Sequence, residues 1–249
     1  MPRIPTLALL LLLSLATPGT AFAQAASTPD FSGVWGAIVS PEMRPYYLAG
    51  FQASEPSMTP WGEAKYKEAR PSFGPRAVPV EQTNDPVYNG CAPPGLPRAY
   101  LHPFPIQLVD VPGREVIILY EYDHLVRHVY TDGRLHDTST GPTWMGDSIG
   151  RWEGDTLVVD TIGFNDKTWV DRLGHPHSEE LHLVERFRRI DEKTLQIDMT
   201  IDDPKAYTKP WTVQLRYALR PPEWRILELV CEDDASFADF EKIAAAPAK

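Results

Sequence analysis

The chain has 249 residues, a formal net charge of −10 at pH 7 and two cysteines. This length suits one large β domain, or two small ones, with a real hydrophobic core. An acidic chain gains no electrostatic attraction from a polyphosphate, so a nucleic acid is not an expected partner. No basic amphipathic segment indicates membrane binding, and no membrane insertion is expected. The expected partner is a small-molecule ligand, and the oligomeric state is left open.

The first 23 residues have the pattern of a secretory signal peptide. Arg3 supplies a basic start, residues 7–15 form an apolar run, and residues 21–23 fit the small-x-small rule for cleavage. The apolar run is too short to span a bilayer comfortably. Cleavage after Ala23 would leave residues 24–249 as a single domain that is periplasmic or secreted.

Cys91 and Cys231 are expected to form a disulfide, because an exported chain folds in an oxidising compartment where disulfides persist. The bridge would tie the Pro-rich front segment to the last predicted strand. Two buried free thiols are the alternative. A catalytic cysteine is disfavoured, because neither residue has a histidine close by in the sequence.

Proline recurs thirteen times between residues 40 and 105. Because proline lacks an N–H group and fixes φ, this segment cannot lie inside a sheet. Within it, residues 59–69 predict a short helix, with Thr59 as N-cap and Pro60 at the first position. The aromatic residues of the segment favour an ordered wrap docked on the domain over a disordered linker.

After residue 105 the sequence alternates short β-type runs with turns. The predicted strands are Val34–Val39, Ile106–Val111, Glu115–Tyr122, Leu125–Thr131, Ser148–Trp152, Thr156–Asp160, Leu181–Ile190, Thr194–Ile201, Trp211–Tyr217 and Leu227–Cys231. The pattern favours an all-β fold, either an antiparallel lipocalin-like barrel or a strongly curved sheet, with a Pro-rich N-terminal wrap. Closure into a barrel would protect the strand edges and leave an interior for a ligand.

The stretch from Trp144 to Arg189 contains the clearest hairpin and three of the seven histidines. Residues 153–155, Glu-Gly-Asp, lie between two β-type runs and predict a structural turn beside a core Trp152. A longer polar loop follows this hairpin. Its chemistry-bearing residues are Asn165, Asp166, Asp171, His175, His177 and Glu179.

Among the acidic residues, Glu185 is the one least readily interpreted as a solvent-exposed side chain. Alternation along its strand places it on the same face as Leu183 and Phe187. A buried carboxylate must be paired, and Arg127 or a histidine is the expected partner. Glu185 is therefore a candidate acid–base group.

His175 and His177 form an H-x-H pair, a common half of a metal site. The possible third ligands are His124, Asp166, Glu179 and Glu185. A metal-free acid–base role for one of the two histidines is the competing reading, because histidine titrates near neutral pH. Histidines that are solvated or capped by carboxylates are the third reading. We predict no cofactor, with a divalent metal at His175 and His177 as the open alternative.

The other candidate residues are aromatic or polar side chains near these groups. If residues 120–127 form one continuous strand, His124 shares a face with Tyr120 and Tyr122, which could bind an aromatic or sugar ring. Otherwise residues 122–124 form a polar turn without function. The candidate catalytic residues are His124, Asp166, His175, His177 and Glu185. The candidate ligand contacts are Tyr120, Tyr122, Arg127, Trp144, Asn165, Trp169 and Tyr207.

Gly33-x-Trp35, at the start of the first strand, resembles the Gly-x-Trp signature of lipocalin-like barrels. In that family the tryptophan closes one barrel end, often beneath an arginine from a late strand. The resemblance implies that Arg216 or Arg220 stacks on Trp35.

Six segments resemble a family of exported bacterial proteins to which we assign no reaction. They are TPWG at 59–62, YEYDH at 120–124, TDGR at 131–134, GRWEGDTLVVDTIGFND at 150–166, GHPHSE at 174–179 and DDPKAYTKPW at 202–211. The resemblance extends over the whole mature chain. It implies an architecture and candidate positions, and no particular chemistry.

Three functions are compatible with this sequence. The first is an exported enzyme, of lyase, isomerase or hydrolase type, that uses acid–base chemistry on an aromatic or carbohydrate ligand. The second is a non-catalytic lipocalin-like binding protein, and the third is a structural module of the cell envelope. The density of ionisable groups favours the enzyme, because a pure binder usually needs an apolar cup. The direction in which the histidine side chains point would distinguish these three functions.

Overall fold

The computed structural model describes residues 29–39, 50–51 and 55–231. The predicted signal peptide therefore lies outside the described residues, as do residues 40–49 and 52–54 of the predicted wrap. Within the described ranges, no helix is both long enough and apolar enough to cross a membrane.

Nine strands form one closed barrel in which neighbours in sequence are neighbours in the sheet. They are β1 (Gly33–Ala37), β2 (Ile106–Val111), β3 (Glu115–Tyr120), β4 (Val126–Tyr130), β5 (Asp147–Glu153), β6 (Thr156–Ile162), β7 (His182–Arg189), β8 (Thr194–Asp202) and β9 (Trp211–Leu219). β1 pairs with both β2 and β9, which closes the barrel. All pairs are antiparallel except β4 with β5. The predicted all-β barrel is confirmed.

The hairpin between β5 and β6 follows directly from its turn residues. Glu153 pairs with Thr156, which leaves Gly154 and Asp155 as a two-residue loop. Gly154 has a φ of +64°, a left-handed conformation that glycine adopts without strain. The predicted Glu-Gly-Asp turn is confirmed.

Short turns and long connections lie at opposite ends of the barrel. The short turns, at residues 112–114, 154–155 and 190–193, follow β2, β5 and β7. The connections that follow β1, β3, β6 and β8 lie at the other end and cover the described parts of residues 38–105, together with residues 121–125, 163–181 and 203–210. We call this second end the loop end, and it holds most of the candidate residues.

The described part of the Pro-rich segment is folded and contains α1 (Pro60–Glu68), α2 (Pro86–Gly90) and 3₁₀ turns at Val80–Gln82 and Arg98–Leu101. The Thr59 hydroxyl accepts a hydrogen bond from Gly62 N at 3.1 Å, and Pro60 begins the helix. The predicted helix is therefore confirmed. The second 3₁₀ turn is buried and carries Tyr100 into the barrel.

A buried ion pair occupies the lumen. Arg127 on β4 pairs with Glu185 on β7, and neither side chain is more than 1% exposed. Arg127 also donates to Ser148 at 3.0 Å, to Thr161 at 2.8 Å and to the Tyr100 hydroxyl at 3.0 Å. The Tyr100 hydroxyl in turn donates to Glu185 at 2.7 Å. All five N–H donors of the guanidinium are used, so the predicted partner of Glu185 is confirmed and the pair is structural.

Apolar side chains from alternate strand positions surround this pair. They include Leu108, Val116, Ile118, Leu157, Val159, Leu183, Phe187, Leu195, Ile197 and Met199, all at most 1% exposed. A small barrel is just wide enough for its side chains to fill. The expected ligand-holding interior is therefore replaced by a packed core.

The predicted strand Leu227–Cys231 is wrong, and β3 and β4 are shorter than expected. Leu229 makes one isolated bridge to Tyr122, without a continuous ladder. The facing residues Asp123 and His124 have φ values of +55° and +50°, so the chain turns there and presents no strand edge. The polar-turn interpretation of residues 122–124 is confirmed.

The arginine that stacks on Trp35 is not one of the two expected. Arg189, at the end of β7, lies 5.4 Å from the Trp35 ring centroid. Arg216 is exposed because it alternates with the inward-facing Tyr217, and Arg220 stacks on Trp224. The expectation for Arg216 or Arg220 is therefore wrong.

The predicted disulfide is confirmed. Cys91 and Cys231 are bonded, with Cα atoms 5.5 Å apart and a sequence separation of 140 residues. The bridge fastens the residue after α2 to the last described residue of the chain.

Removing this bridge should destabilise the protein. Replacing both cysteines by alanine is expected to lower the free energy of unfolding by about 2–5 kcal/mol, because the unfolded chain regains the freedom of a long loop. Urea denaturation measures the difference. Two reactive thiols in the denatured wild-type protein would contradict the assignment.

Breaking the buried ion pair should cost more than breaking an exposed one. Glu185→Gln is expected to lower the free energy of unfolding by about 3–5 kcal/mol, because it leaves the Arg127 charge buried without a counter-ion. Glu153→Gln is the control, since Glu153 is exposed and pairs with exposed Arg151 and Arg186. Equal denaturation midpoints for the two variants would refute a structural role for the buried pair.

Candidate functional site

A pocket of about 360 Å³ lies at the loop end between α1 and the connection 163–181, and we call it the α1 pocket. The residues that line it and carry rings or charge are Trp61, Lys65, Glu68, Asp166, Lys167, Trp169 and His177. The pocket joins two segments that are about 100 residues apart in the sequence. Three of the predicted site residues, Asp166, Trp169 and His177, lie together in its lining.

The α1 wall is held by close contact with the connection between β8 and β9. Thr59 N donates to Ala206 O at 3.0 Å. Gly62 lies against the same carbonyl, and a Cβ atom on Gly62 would lie only 2.1 Å from Ala206 O. The glycine of the TPWG segment is therefore needed for close approach, and it fixes the position of Trp61.

The opposite wall is a folded loop. Asn165 Oδ1 accepts from Lys167 N at 3.1 Å, which forms a local turn and leaves the Asp166 side chain exposed. Trp169 and Pro176 form an isolated antiparallel bridge. Asn165 is thus a turn residue, whereas Asp166 and Trp169 line the pocket.

Among the residues of the pocket, His177 is the one whose ring nitrogens are least accounted for by hydrogen bonds. It is 3% exposed, and its Nδ1 lies 3.3 Å from Ser178 O. Because a carbonyl oxygen only accepts, Nδ1 carries the proton and Nε2 has a free lone pair. Within the described residues, Nε2 has no hydrogen-bond partner.

Burial lowers the pKa of His177 below its ordinary value, because desolvation disfavours the charged ring. The carboxylates of Asp203 and Asp166 oppose this shift and do not overcome it. His177 is therefore a neutral imidazole at neutral pH.

His175 is in the opposite state. Its Nδ1 contacts Asp171 at 2.6 Å, its Nε2 contacts Glu55, and its ring stacks on Tyr66 with centroids 4.7 Å apart. Burial disfavours the charged ring, but the carboxylates of Asp171 and Glu55 outweigh burial and raise the pKa of His175 to about 9. His175 is a charged structural link between the wrap and the loop.

The two histidines therefore do not act as a pair. Both ring nitrogens of His175 are taken by carboxylates, and Nδ1 of His177 faces a carbonyl. Across the described ranges, no three His, Cys, Asp or Glu side chains are arranged to hold a metal ion.

The remaining predicted catalytic residues lie elsewhere. His124 Nε2 accepts from Leu229 N at 3.1 Å and holds the segment just before Cys231. Glu185 lies in the lumen with Arg127. The expected convergence of His175 or His177 with His124 and Glu185 does not occur, because each of these groups is engaged separately.

The predicted aromatic contacts are mostly core residues. Tyr120 packs edge-on against Tyr100 with centroids 5.8 Å apart, and Tyr122 stacks on His102 at 4.0 Å. The carbonyl of Trp144 accepts from Leu96 N at 3.2 Å. The Tyr207 hydroxyl donates to Pro176 O at 2.8 Å. None of Tyr120, Tyr122, Trp144 and Tyr207 lines the α1 pocket.

Sequence reasoning missed the α1 side of the pocket. Trp61, Lys65 and Glu68 come from a helix whose existence was predicted but whose docked face was not. The DDPKAYTKPW segment at 202–211 gave no indication of the contact between Asp203 and Ser178. The available signal was the TPWG segment, where a glycine inside a helix indicates close packing.

The loop end carries two other features besides the α1 pocket. A pocket of about 330 Å³ lies at the mouth of the barrel, and its lining includes Val39 and Gly50, which adjoin undescribed residues. A cluster on the outer face joins His136 and His182 to Asp160, with partly exposed side chains. Among the described residues, neither feature contains a buried histidine nitrogen that lacks a hydrogen-bond partner.

The chain matches no family model, no curated protein and no solved structure. The fold is therefore described by its own geometry, a closed nine-stranded barrel with a docked Pro-rich segment.

The charged state of His175 should make stability depend on pH. Its folded-state pKa lies above the ordinary value of 6.5, so its stabilisation is complete below pH 6.5 and is lost as pH rises through about 9. The difference corresponds to about 3 kcal/mol. The free-energy difference between wild type and His175→Gln should therefore shrink between pH 6.5 and 9.

Urea denaturation at several pH values measures this difference. His182→Gln is the control, because His182 is partly exposed and contacts Asp160 on the outer face. A constant difference between wild type and His175→Gln from pH 6 to pH 10 would rule out the charged link.

Proposed function

We propose that the protein is an exported enzyme that acts on a small molecule with an aromatic or carbohydrate ring, with His177 as general base in the α1 pocket. The observation that carries the proposal is the buried, partnerless Nε2 of a neutral imidazole in the lining of a pocket. The reaction is of lyase, isomerase or hydrolase type, classes in which a general base can remove a proton from substrate or water.

The environment of His177 suits a base. A neutral ring at neutral pH needs no deprotonation before it acts. Once it accepts a proton, the carboxylates of Asp203 and Asp166 stabilise the imidazolium, because they already favour the charged form. Burial makes these charge interactions stronger than they would be in water.

The same pocket supplies groups for binding. Trp61 and Trp169 offer aromatic surface on which a ring can stack. Lys65 is paired with Glu68 at 2.9 Å. Lys167 is exposed and has no carboxylate partner among the described residues, so its ammonium is available to neutralise negative charge that develops on the substrate.

A non-catalytic binding protein is the second candidate, and the two tryptophans of the pocket favour it independently of His177. Binding would then occur at the loop end. The lumen used by lipocalin-like proteins is filled here by the Arg127–Glu185 pair and apolar side chains.

Export is part of the proposal. The signal-peptide pattern of residues 1–23 motivates it, and the disulfide supports it because disulfides persist in oxidising compartments. Membership of the exported bacterial family that the sequence resembles, and kinship with lipocalin-like barrels, are proposed on the same basis.

Substitution of His177 tests the base assignment. In a panel of aromatic and carbohydrate compounds, His177→Ala should lower turnover of any substrate found by about 10²–10⁴-fold, the usual contribution of a general base. Turnover by the wild type should stay high at pH 6.5 and fall at lower pH, where His177 takes a proton.

His182→Ala is the matched control and should retain wild-type turnover, because His182 lies on the outer face of the barrel. Equal turnover by His177→Ala and wild type would eliminate His177 as the base. Binding of panel compounds without turnover by the wild type would favour the binding protein instead.

A further inference from the structure

We infer that the turn at residues 203–207, which we call the clamp turn, positions His177, with Asp203 and Tyr207 as the positioning residues. The clamp turn directly follows β8 and is distant from His177 in the sequence. The inference rests on the proposed function, because it assigns the groups that hold the proposed base in place.

Asp203 holds the peptide unit that follows His177. Its side chain is fully buried, and it accepts hydrogen bonds from Ser178 N at 2.6 Å and from Ser178 Oγ at 3.0 Å. Since His177 Nδ1 faces the carbonyl of this same Ser178, fixing Ser178 fixes the acceptor that selects the tautomer of His177.

Tyr207 holds the peptide unit that precedes His177. Its hydroxyl is buried and donates to Pro176 O at 2.8 Å. Two side chains from one five-residue turn therefore grip the chain on both sides of the base. This arrangement restrains the backbone that carries the imidazole.

The clamp turn is itself rigid. The Asp203 carboxylate accepts from Lys205 N at 3.1 Å and from Ala206 N at 3.0 Å. The Asp203 carbonyl accepts from Tyr207 N at 2.8 Å. Asp203 thus organises the turn with the same carboxylate that holds Ser178.

The other side of the clamp turn supports the α1 wall of the pocket. Thr59 N donates to Ala206 O at 3.0 Å, and the Thr59 hydroxyl donates to Lys205 O. The Lys205 ammonium lies 5.0 Å from the Trp61 ring centroid. The clamp turn therefore sets the position of Trp61 relative to His177. A ring bound between these two side chains would need this spacing to be fixed.

Asp203 also acts through its charge. Its carboxylate favours the protonated form of His177 against the effect of burial, as does the exposed Asp166. A positioning residue of this kind fixes the ring and stabilises the imidazolium that forms when the base takes a proton.

Nitrogen-15 NMR of the histidine rings tests the inference without a substrate. In the wild type, neutral His177 should be the Nδ1–H tautomer. Tyr207→Phe removes the donor to Pro176 O, so a folded Tyr207→Phe protein should lose this preference and populate the Nε2–H tautomer. Tyr130→Phe is the control, because Tyr130 lies on β4 against Arg134, at the end opposite the loop end.

Asp203→Asn tests the charge and should lower the pKa of His177 below its wild-type value. If Asp203→Asn does not fold, Ser178→Ala takes its place, because it removes the Oγ hydrogen bonds to Asp203 and from Glu180 N and keeps the backbone bond to Asp203. Ser178→Ala should weaken the tautomer preference in the same direction as Tyr207→Phe. A merely structural clamp would change stability and leave the tautomer of the folded protein unchanged.

Folded Tyr207→Phe and Ser178→Ala proteins with the wild-type tautomer would overturn the inference, even where His177→Ala abolishes turnover. Loss of the Nδ1–H preference of His177 in both variants would support the inference, even where no compound in the panel is turned over. The two results separate failure of the positioning role from failure of the proposed function.

Discussion

The ion pair between Arg127 and Glu185 is the contact on which the rest of the molecule depends. Desolvating two charges costs several kcal/mol per ion, and this cost is offset only where geometry and hydrogen bonding are complete. Here Ser148, Thr161 and Tyr100 complete the set of acceptors around the guanidinium. Although burial disfavours its charge, the carboxylate of Glu185 raises the pKa of Arg127 above the ordinary value. The lumen is therefore closed by a saturated polar network.

This network also explains why the Pro-rich segment is docked. Tyr100 belongs to that segment, and its hydroxyl both donates to Glu185 and accepts from Arg127. The wrap therefore supplies a side chain that the buried pair requires. Because the lumen is filled, a ligand must bind on concave surface outside it, and the connections at the loop end provide such a surface. Loops commonly carry binding and catalytic residues. The α1 pocket lies between two of those connections.

The fold was largely predictable because its signals are local. Short β-type runs indicated all nine barrel strands to within a few residues, and the cap at Thr59 indicated α1. The pairing of Glu185 with Arg127 followed from alternation and the cost of a buried charge. The break at Asp123 and His124 was harder to predict, because left-handed backbone at non-glycine residues has a weak sequence signal.

The candidate site was only half predictable. The sequence indicated His175 and His177 as a pair, and the structure separates them into a charged link and a buried, neutral imidazole. Their difference comes from Asp171 and Glu55, which contact the two ring nitrogens of His175, whereas burial dominates at His177. Glu55 lies 120 residues before His175 in the sequence. A sequence pattern contains no information on which distant carboxylate reaches which histidine.

The central claim is that ligands bind at the α1 pocket, outside the filled barrel. Chemical-shift mapping with aromatic and carbohydrate compounds tests it most directly. The account predicts that the indole signals of Trp61 and Trp169 shift together with the ring signals of His177. Shifts confined to Tyr100 and Tyr217, with no change at the two indoles, would place binding at the barrel mouth and contradict the account.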